Sequence, residues 1–396
     1  MVVSDEVTGN LFEAAQYQRP VAGLTHDFYH YPARFSPALA REIIASFTKP
    51  GDIVLDPFMG GGTTLVEASA MGRNAFGSDI SSLAVFLSKV KTTPLSEGEL
   101  SRIRQWLNVV LYSVNLHEEV DRPLDWIELG YQKYISGKKS WPIRKFLELA
   151  LPQVESLPLD RQRQFARCLL LRTAQWALDC RQEVPGISLF KQQLSLYLND
   201  MIRGMNEYSS AILQYQSQSE PCWSVCLHAS AEKIDHDRQM QGNLRPALIL
   251  TSPPYPGVHV LYHRWQVRGR KETPAPFWIA NCLDSKGEAY YTLGSRKQKH
   301  LQNYFNQLEK SWLSILRLID NRTLIVQVLA FSDLPWQLER YLSTMKDIGL
   351  VEIKLSSMPN SPDGRLWRNV PNRKWYANMR GDSSSSQEVV LFHRME

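Results

Sequence analysis

Asp52-Ile-Val-Leu-Asp-Pro-Phe-Met-Gly-Gly-Gly-Thr-Thr64 reads as a short buried strand followed by a glycine-rich turn. Leu65-Val-Glu-Ala-Ser-Ala-Met71 then has the spacing of a helix that stops at Gly72, and Asn74-Ala-Phe-Gly-Ser-Asp-Ile80 reads as a second strand. Strand, turn, helix and strand make the first unit of a doubly wound α/β sheet, in which ligands bind at the carboxyl ends of the strands. Glycines there let a ligand approach the backbone, and the helix start offers free N–H groups to an anionic group such as a carboxylate. Asp79 ends the second strand, 23 positions after Asp56, where a carboxylate can accept from both hydroxyls of an adenosine ribose. Capping of the next helix is the competing role for Asp79. The turn lacks the Gly-Lys-Ser/Thr of a phosphate-binding loop and the third glycine of a dinucleotide fingerprint, which disfavours nucleoside triphosphates and NAD.

A second stretch carries chemistry. Pro246-Ala-Leu-Ile-Leu250 reads as a buried strand, and Thr251-Ser-Pro-Pro-Tyr255 stops it abruptly, because proline has no N–H and fixes φ. The two prolines hold the backbone rigid while their carbonyl oxygens stay available to an outside donor, with an aromatic face alongside. An exocyclic amine of a nucleobase is such a donor.

Ser252-Pro-Pro-Tyr255 resembles the catalytic motif of the DNA amino-methyltransferases, which methylate N4 of cytosine or N6 of adenine with S-adenosylmethionine (AdoMet). Asp56-Pro-Phe-Met-Gly-Gly-Gly-Thr-Thr64 with Asp79 is similar to the AdoMet-binding motifs of those families, and His30-Tyr-Pro-Ala-Arg-Phe-Ser-Pro37 to the N-terminal motif that lies against the methionine part of the cofactor. The resemblance covers about residues 25–95 and 223–395. It implies a doubly wound, mostly parallel Rossmann-like α/β methyltransferase sheet interrupted by a mostly helical insertion. It implies AdoMet contacts from Tyr31, Pro32, Phe35, Asp56, Pro57, Phe58, Gly60, Gly62, Thr63, Thr64, Asp79 and Ile80. Relatives carry Gly-Asp-Ala after the next strand, where this chain has Ala229-Ser230-Ala231, so Ser230 takes the place of the adenine-binding aspartate as a weaker acceptor.

Methyl transfer from a sulfonium is an in-line displacement, which needs nucleophile and methyl carbon held close and aligned. Base amines are poor nucleophiles because their lone pair is delocalised into the ring. Accepting both amine protons, at the Pro253 carbonyl and at Ser252, favours a pyramidal nitrogen and stabilises the positive charge that develops. Tyr255, next to Pro254, would stack on a base flipped out of the duplex. Ser252 favours cytosine N4, since adenine enzymes more often carry Asp or Asn there; adenine N6 stays open. Carbon-5 chemistry needs a Pro-Cys nucleophile after a strand, and Pro221-Cys222 precedes one.

The rest of the chain is assigned around these motifs. Residues 1–22 show no clear periodicity and are expected to form a loose arm; 23–95 form the cofactor-binding half, 96–220 a helical insertion and 221–396 the catalytic half. The insertion carries Lys138, Lys139, Trp141, Arg144 and Lys145, which suit target recognition or a solvated helix face. Double-stranded DNA is the expected partner, with contacts from Arg264, Arg268, Arg270 and Lys271 after the catalytic loop. Arg368 and Arg373 in an expected loop over 359–374 complete the set. Ser383–Ser386 reads as a connector. The net charge of +5 suits a polyanion without requiring one. Five scattered cysteines favour free thiols, and Cys222-x-x-x-Cys226 has no second ligand pair at zinc spacing, so no metal is expected. No apolar run approaches the roughly 20 residues of a membrane helix, and the first residues do not read as a signal peptide, which gives a cytoplasmic expectation. A restriction endonuclease acting on the same site is the further partner that the resemblance implies. Competing readings are an RNA base methyltransferase and a catalytically silent AdoMet- or DNA-binding regulator.

Overall fold

The computed structural model describes residues 4–17, 22–31, 36–118, 125–216, 222–240, 245–257, 264–269, 271–284, 291–294, 299–355, 358–359, 361, 363–370 and 386–396. One sheet takes in β1 (Ile53–Asp56), β2 (Asn74–Asp79), β3 (Ser224–His228), β4 (Leu248–Thr251), β7 (Leu324–Leu329), β8 (Leu350–Ile353), β9 (Leu366–Val370) and β10 (Ser386–Met395). A hairpin of β5 (Trp265–Val267) and β6 (Lys271–Thr273) stands apart. The strand order is β3-β2-β1-β4-β7-β10-β8, with β9 also pairing β10. Pairs from β3 through β7 are parallel, and β10 runs antiparallel to β7, β8 and β9. The chain moves outward from β1 to β2 and β3, then returns to β4 on the other side of β1. That reversal between β1 and β4 is the switch point at which a doubly wound sheet opens a crevice, so the fold is the Rossmann-like α/β class expected.

Alternation along the strands explains the two covered faces. Val54, Leu248, Leu250 and Val326 pack with α1 (Asp5–Gln16), α2 (Pro37–Phe47) and α3 (Thr63–Ala70) on one side. Leu55, Ile249 and Ile325 point the other way, against a 3-10 helix (Ala231–His236), α11 (Gln302–Leu316) and α12 (Leu334–Asp347). Ser36 caps α2 as expected, its hydroxyl accepting from the Leu39 N–H at 3.5 Å with Pro37 opening the helix.

A helical layer of α4 (Ser82–Thr92), α5 (Glu97–Ser113), α6 (Asp125–Glu128), α7 (Trp141–Gln153), α8 (Asp160–Leu178), α9 (Ile187–Gln216) and α10 (Ala275–Ala280) flanks the sheet. Its apolar core runs unbroken from Leu83 and Leu87 on α4 through Phe146, Phe165 and Phe190 to Phe277. No described helix is long and apolar enough to cross a membrane.

Two expectations are corrected, and one further segment is given its structure. Residues 5–16 are a helix rather than a loose arm: Ser4 caps it, Leu11 and Ala15 are buried four positions apart, and the Gln16 side-chain amide donates to the Trp367 carbonyl at 3.1 Å. The basic segment after the catalytic loop contains the β5–β6 hairpin, pinned by a fully buried Trp265 whose indole N–H donates to Tyr29 Oη at 2.9 Å. Within the expected loop over 359–374, Leu366–Val370 is strand β9 on the edge of β10. Ser383 to Ser385 lie outside the described residues.

Candidate active site

Everything in the site follows from the adjacency of β1 and β4. Val54 pairs with Leu248 and Leu55 with Ile249, so the chain leaves both strands at the same end, into the glycine turn on one side and Ser252-Pro-Pro-Tyr255 on the other. Two side chains lock the exits together. Thr251 Oγ1 donates to Asp56 Oδ1 at 2.6 Å, and Thr64 Oγ1 donates to the Leu250 carbonyl at 3.1 Å. The structure thus brings together two segments nearly two hundred residues apart in the sequence.

In the glycine turn, Gly62 has φ +76°, and a Cβ there would lie 2.7 Å from Ser88 Oγ. At Gly61 a Cβ would lie 2.9 Å from Tyr31 Cβ. The turn is therefore clasped between α4 and the N-terminal motif, with the buried Tyr31 on top of it. Pro32 and Phe35 lie outside the described residues.

Asp79 ends β2 half-buried, and its two oxygens accept from the Gly60 N–H at 2.9 Å and the Ser81 N–H at 2.8 Å. It holds the glycine turn to the turn that leads into α4, while Ser81 caps that helix itself. Asp56 is buried and accepts from Thr251 and from the Phe58 N–H at 3.1 Å. Burial pushes both carboxyls up to about 6 against their hydrogen bonds, from an ordinary 3.8. Their contribution to stability is thus complete below pH 3.8 and lost as pH rises through about 6.

Phe58, Gly60 and Ile80 are half-buried beside Asp79, while Pro57 and Thr63 are buried. The Thr64 side chain is fully buried and its hydroxyl donates to the Leu250 carbonyl on β4. Ser230 sits directly after β3, whose end is tied to β2 by the Ala229 N–H on the Asp79 carbonyl at 3.1 Å. Its hydroxyl caps the following 3-10 helix, accepting from the Glu232 N–H at 3.3 Å.

On the other loop, Ser252 and Pro254 are half-buried and Pro253 and Tyr255 buried. Ser252 Oγ donates to Tyr255 Oη at 3.0 Å, and Tyr255 Oη donates to Glu388 Oε1 on β10 at 3.0 Å. Arg368 on β9 faces the other Glu388 oxygen at 3.3 Å. The Pro254 carbonyl accepts from Tyr304 Oη on α11 at 2.6 Å. Glu388 and Tyr304 escaped sequence reasoning. A lone acid opening the apolar run Val389-Val-Leu-Phe392 was the available signal for Glu388; nothing marked Tyr304.

The expected DNA contacts do not form one set. Arg368 is corrected: it is buried against Glu388, where a phosphate cannot reach it. Arg264 grips Asp284 through Nε at 3.0 Å and Nη2 at 2.7 Å. Arg270 and Arg373 lie outside the described residues. Arg268 and Lys271 are exposed and meet the insertion: the Arg268 guanidinium fills the space beside Gly137, and the Lys271 ammonium sits 5.4 Å from the Tyr134 ring centroid. Lys133 approaches the same ring at 5.0 Å, and Lys138 and Lys139 are exposed next to Gly137. No carboxylate pairs with any of these five cations among the described residues.

Residues 2–89 match the family model described as DNA methylase. That span holds Tyr31, Asp56, the glycine turn and Asp79 and stops short of the Ser-Pro-Pro-Tyr loop. The chain is 48% identical over 82 residues to the type II methyltransferase M.MvaI of Kocuria varians, covering 20% of this chain and 18% of that protein. It is 37% identical over 129 residues to the type II methyltransferase M.MjaII of Methanocaldococcus jannaschii, covering 29% and 24%. A tRNA (guanine(10)-N2)-dimethyltransferase of Methanothermobacter thermautotrophicus is 32% identical over 124 residues, covering 31% and 36%. The alignments thus span a quarter or less of the length of the two type II relatives.

Proposed function

We propose that this chain is a DNA amino-methyltransferase that uses AdoMet to methylate the exocyclic amine of a flipped base, with cytosine N4 favoured over adenine N6. The observation that carries this reading is the emergence of the glycine turn and the Ser-Pro-Pro-Tyr loop side by side at the β1–β4 switch point. The DNA methylase match and the type II relatives support it from the sequence side, and a partner endonuclease for the same site belongs to the same proposal.

AdoMet supplies the methyl group. The residues present fit it: a half-buried carboxylate at a strand tip for the ribose hydroxyls, and a glycine turn whose half-buried Gly60 lies under Tyr31. Phe58 and Ile80 offer apolar surface beside Asp79. On the catalytic loop, Tyr304 already occupies the Pro254 carbonyl, which leaves the Pro253 carbonyl and Ser252 Oγ as acceptors for the two amine protons. Two acceptors on a proline-stiffened loop hold the nitrogen lone pair in line, and positioning of that kind is the main demand of the reaction.

Tritium transfer from labelled AdoMet to DNA but not to tRNA is the expected result. Transfer to tRNA alone would replace this reading by the RNA one that the tRNA-modifying relative favours. Sequencing DNA from an expressing host for modified bases then identifies base and site.

Asp79 sets a pH limit on cofactor binding. Ribose hydroxyls donate to the ionised carboxylate, whose free-state value is about 6, so AdoMet affinity is expected to fall by up to about tenfold per pH unit below that value. Calorimetry across the acidic range checks this, and Asp79→Asn should bind weakly with no such slope.

The five cations around Tyr134 and Gly137, which no carboxylate pairs with among the described residues, would meet phosphates. Arg268→Ala and Lys271→Ala are each expected to lower the salt slope of duplex binding by about 1 and to leave AdoMet affinity unchanged. Unaltered slopes in filter binding at several salt concentrations would remove this face from the DNA contact.

A further inference from the structure

We infer, resting on the reading just given, that Glu388 and Tyr255 fix the Ser252 hydroxyl as a pure acceptor, so that the loop selects a base carrying an amine over one carrying a carbonyl at the same ring position. Proton direction fixes the role of each oxygen. An ionised carboxylate can only accept, so the Tyr255 hydroxyl, 3.0 Å from Glu388 Oε1, directs its proton to the acid. The Tyr255 oxygen can then accept, and the Ser252 proton is spent on it at 3.0 Å. What Ser252 Oγ has left is lone pairs, on a half-exposed side chain at the mouth of the cleft. Arg368, 3.3 Å from the other Glu388 oxygen, compensates the buried negative charge.

An amine meeting that oxygen donates to it. A carbonyl meeting it sets lone pair against lone pair, and a buried polar group left unmatched discriminates far more strongly than a lost apolar contact. The loop cannot easily turn to relieve the clash. Pro253 and Pro254 fix two φ angles, and Tyr304 clamps the Pro254 carbonyl at 2.6 Å. Glu388 and Arg368 touch no base in this account. They are positioning residues that act through Tyr255.

The test uses duplexes containing the methylated site, with the target cytosine replaced by uracil, or the target adenine by hypoxanthine if adenine is the base modified. Wild type should bind the amine duplex in clear preference to the carbonyl one. In Tyr255→Phe the Ser252 hydroxyl is free to rotate and donate, and the preference is expected to shrink about tenfold, with AdoMet affinity unchanged. Glu388→Gln should reproduce this, because an amide N–H can donate to Tyr255 and reverse the chain; should that variant not fold, Tyr255→Phe carries the test. Once Ser252 is alanine, adding Tyr255→Phe should change the preference by less than about twofold, as expected of groups acting as one unit. A preference that Tyr255→Phe leaves intact, or independent multiplicative effects of the two substitutions, would overturn the inference while methyl transfer by wild type stands. Absence of transfer to DNA by wild type would instead remove the reading on which it rests.

Discussion

Tyr255→Ala is expected to lower DNA methylation by about 10³-fold in kcat/KM, from losses that add at one site. Base stacking on an aromatic ring is worth about 1–3 kcal/mol, and the hydrogen bond from Tyr255 to the Glu388 carboxylate about 1.5–3 kcal/mol. Together they bracket that loss. The ring is also 4% exposed and sits in the core cluster with Leu55, Ile249 and Phe305. Truncation there costs a further roughly 3–5 kcal/mol of stability, so activity has to be compared at a temperature where far-UV circular dichroism shows the variant folded. AdoMet binding should survive, because Asp79, Gly60 and Tyr31 belong to the β1–β2 side of the cleft and are held by their own hydrogen bonds and packing. A folded variant that methylates within tenfold of wild type would refute the role given to this loop. So would a loss of activity explained by lost AdoMet binding alone.

How much of this was legible in the sequence depends on range. The β1–turn–α3–β2 unit is local: Val54 and Leu55 alternate between two apolar faces, and Gly62 must reach a positive φ, so short windows suffice. The end of β4 was equally plain, because Pro253 and Pro254 cannot continue a parallel ladder. Strand β9 was not legible. Its Arg368, and Arg365 just before it, look like solvent or phosphate groups until Glu352 and Glu388 are known to neutralise them from neighbouring strands. Helix α1 hides for a related reason, since only Leu11 and Ala15 are fully buried apolar residues in its last two turns and its docking partner β9 lies more than three hundred residues away. The Ser252–Tyr255–Glu388 chain combines a four-residue motif with a strand at the far end of the protein, and only the antiparallel return of β10 beside β7 brings them together.

The same logic of distant partners gives an expected effect on stability as large as that of truncating Tyr255. Glu67 on α3 is fully buried and accepts at once from three directions. His26 Nε2 lies 2.7 Å from Oε1, while Arg41 donates through Nε to Oε2 at 2.8 Å and through Nη2 to Oε1 at 3.2 Å. One carboxylate thereby ties α3 to α2 and to the turn at His26–Phe28, from which the chain runs directly to Tyr31 over the glycine turn. Burial alone would raise its pKa, yet the hydrogen bonds and charges of His26 and Arg41 outweigh it and hold the carboxyl below its usual 4.5. The sign follows: this stabilisation is present above pH 4.5 and is lost as pH falls through the lowered value. Glu67→Ala is expected to cost about 3–5 kcal/mol in urea unfolding at neutral pH, the range for breaking a buried pair from one side. Arg41→Ala should cost much less, because the Arg41 side chain is 56% exposed and its attraction is screened. Glu67→Gln should flatten the acid limb of the stability profile. Since Tyr31 follows the same turn, the alanine variant should also bind AdoMet more weakly, and equal unfolding free energies for Glu67→Ala and wild type would show that the three elements are held by apolar packing alone.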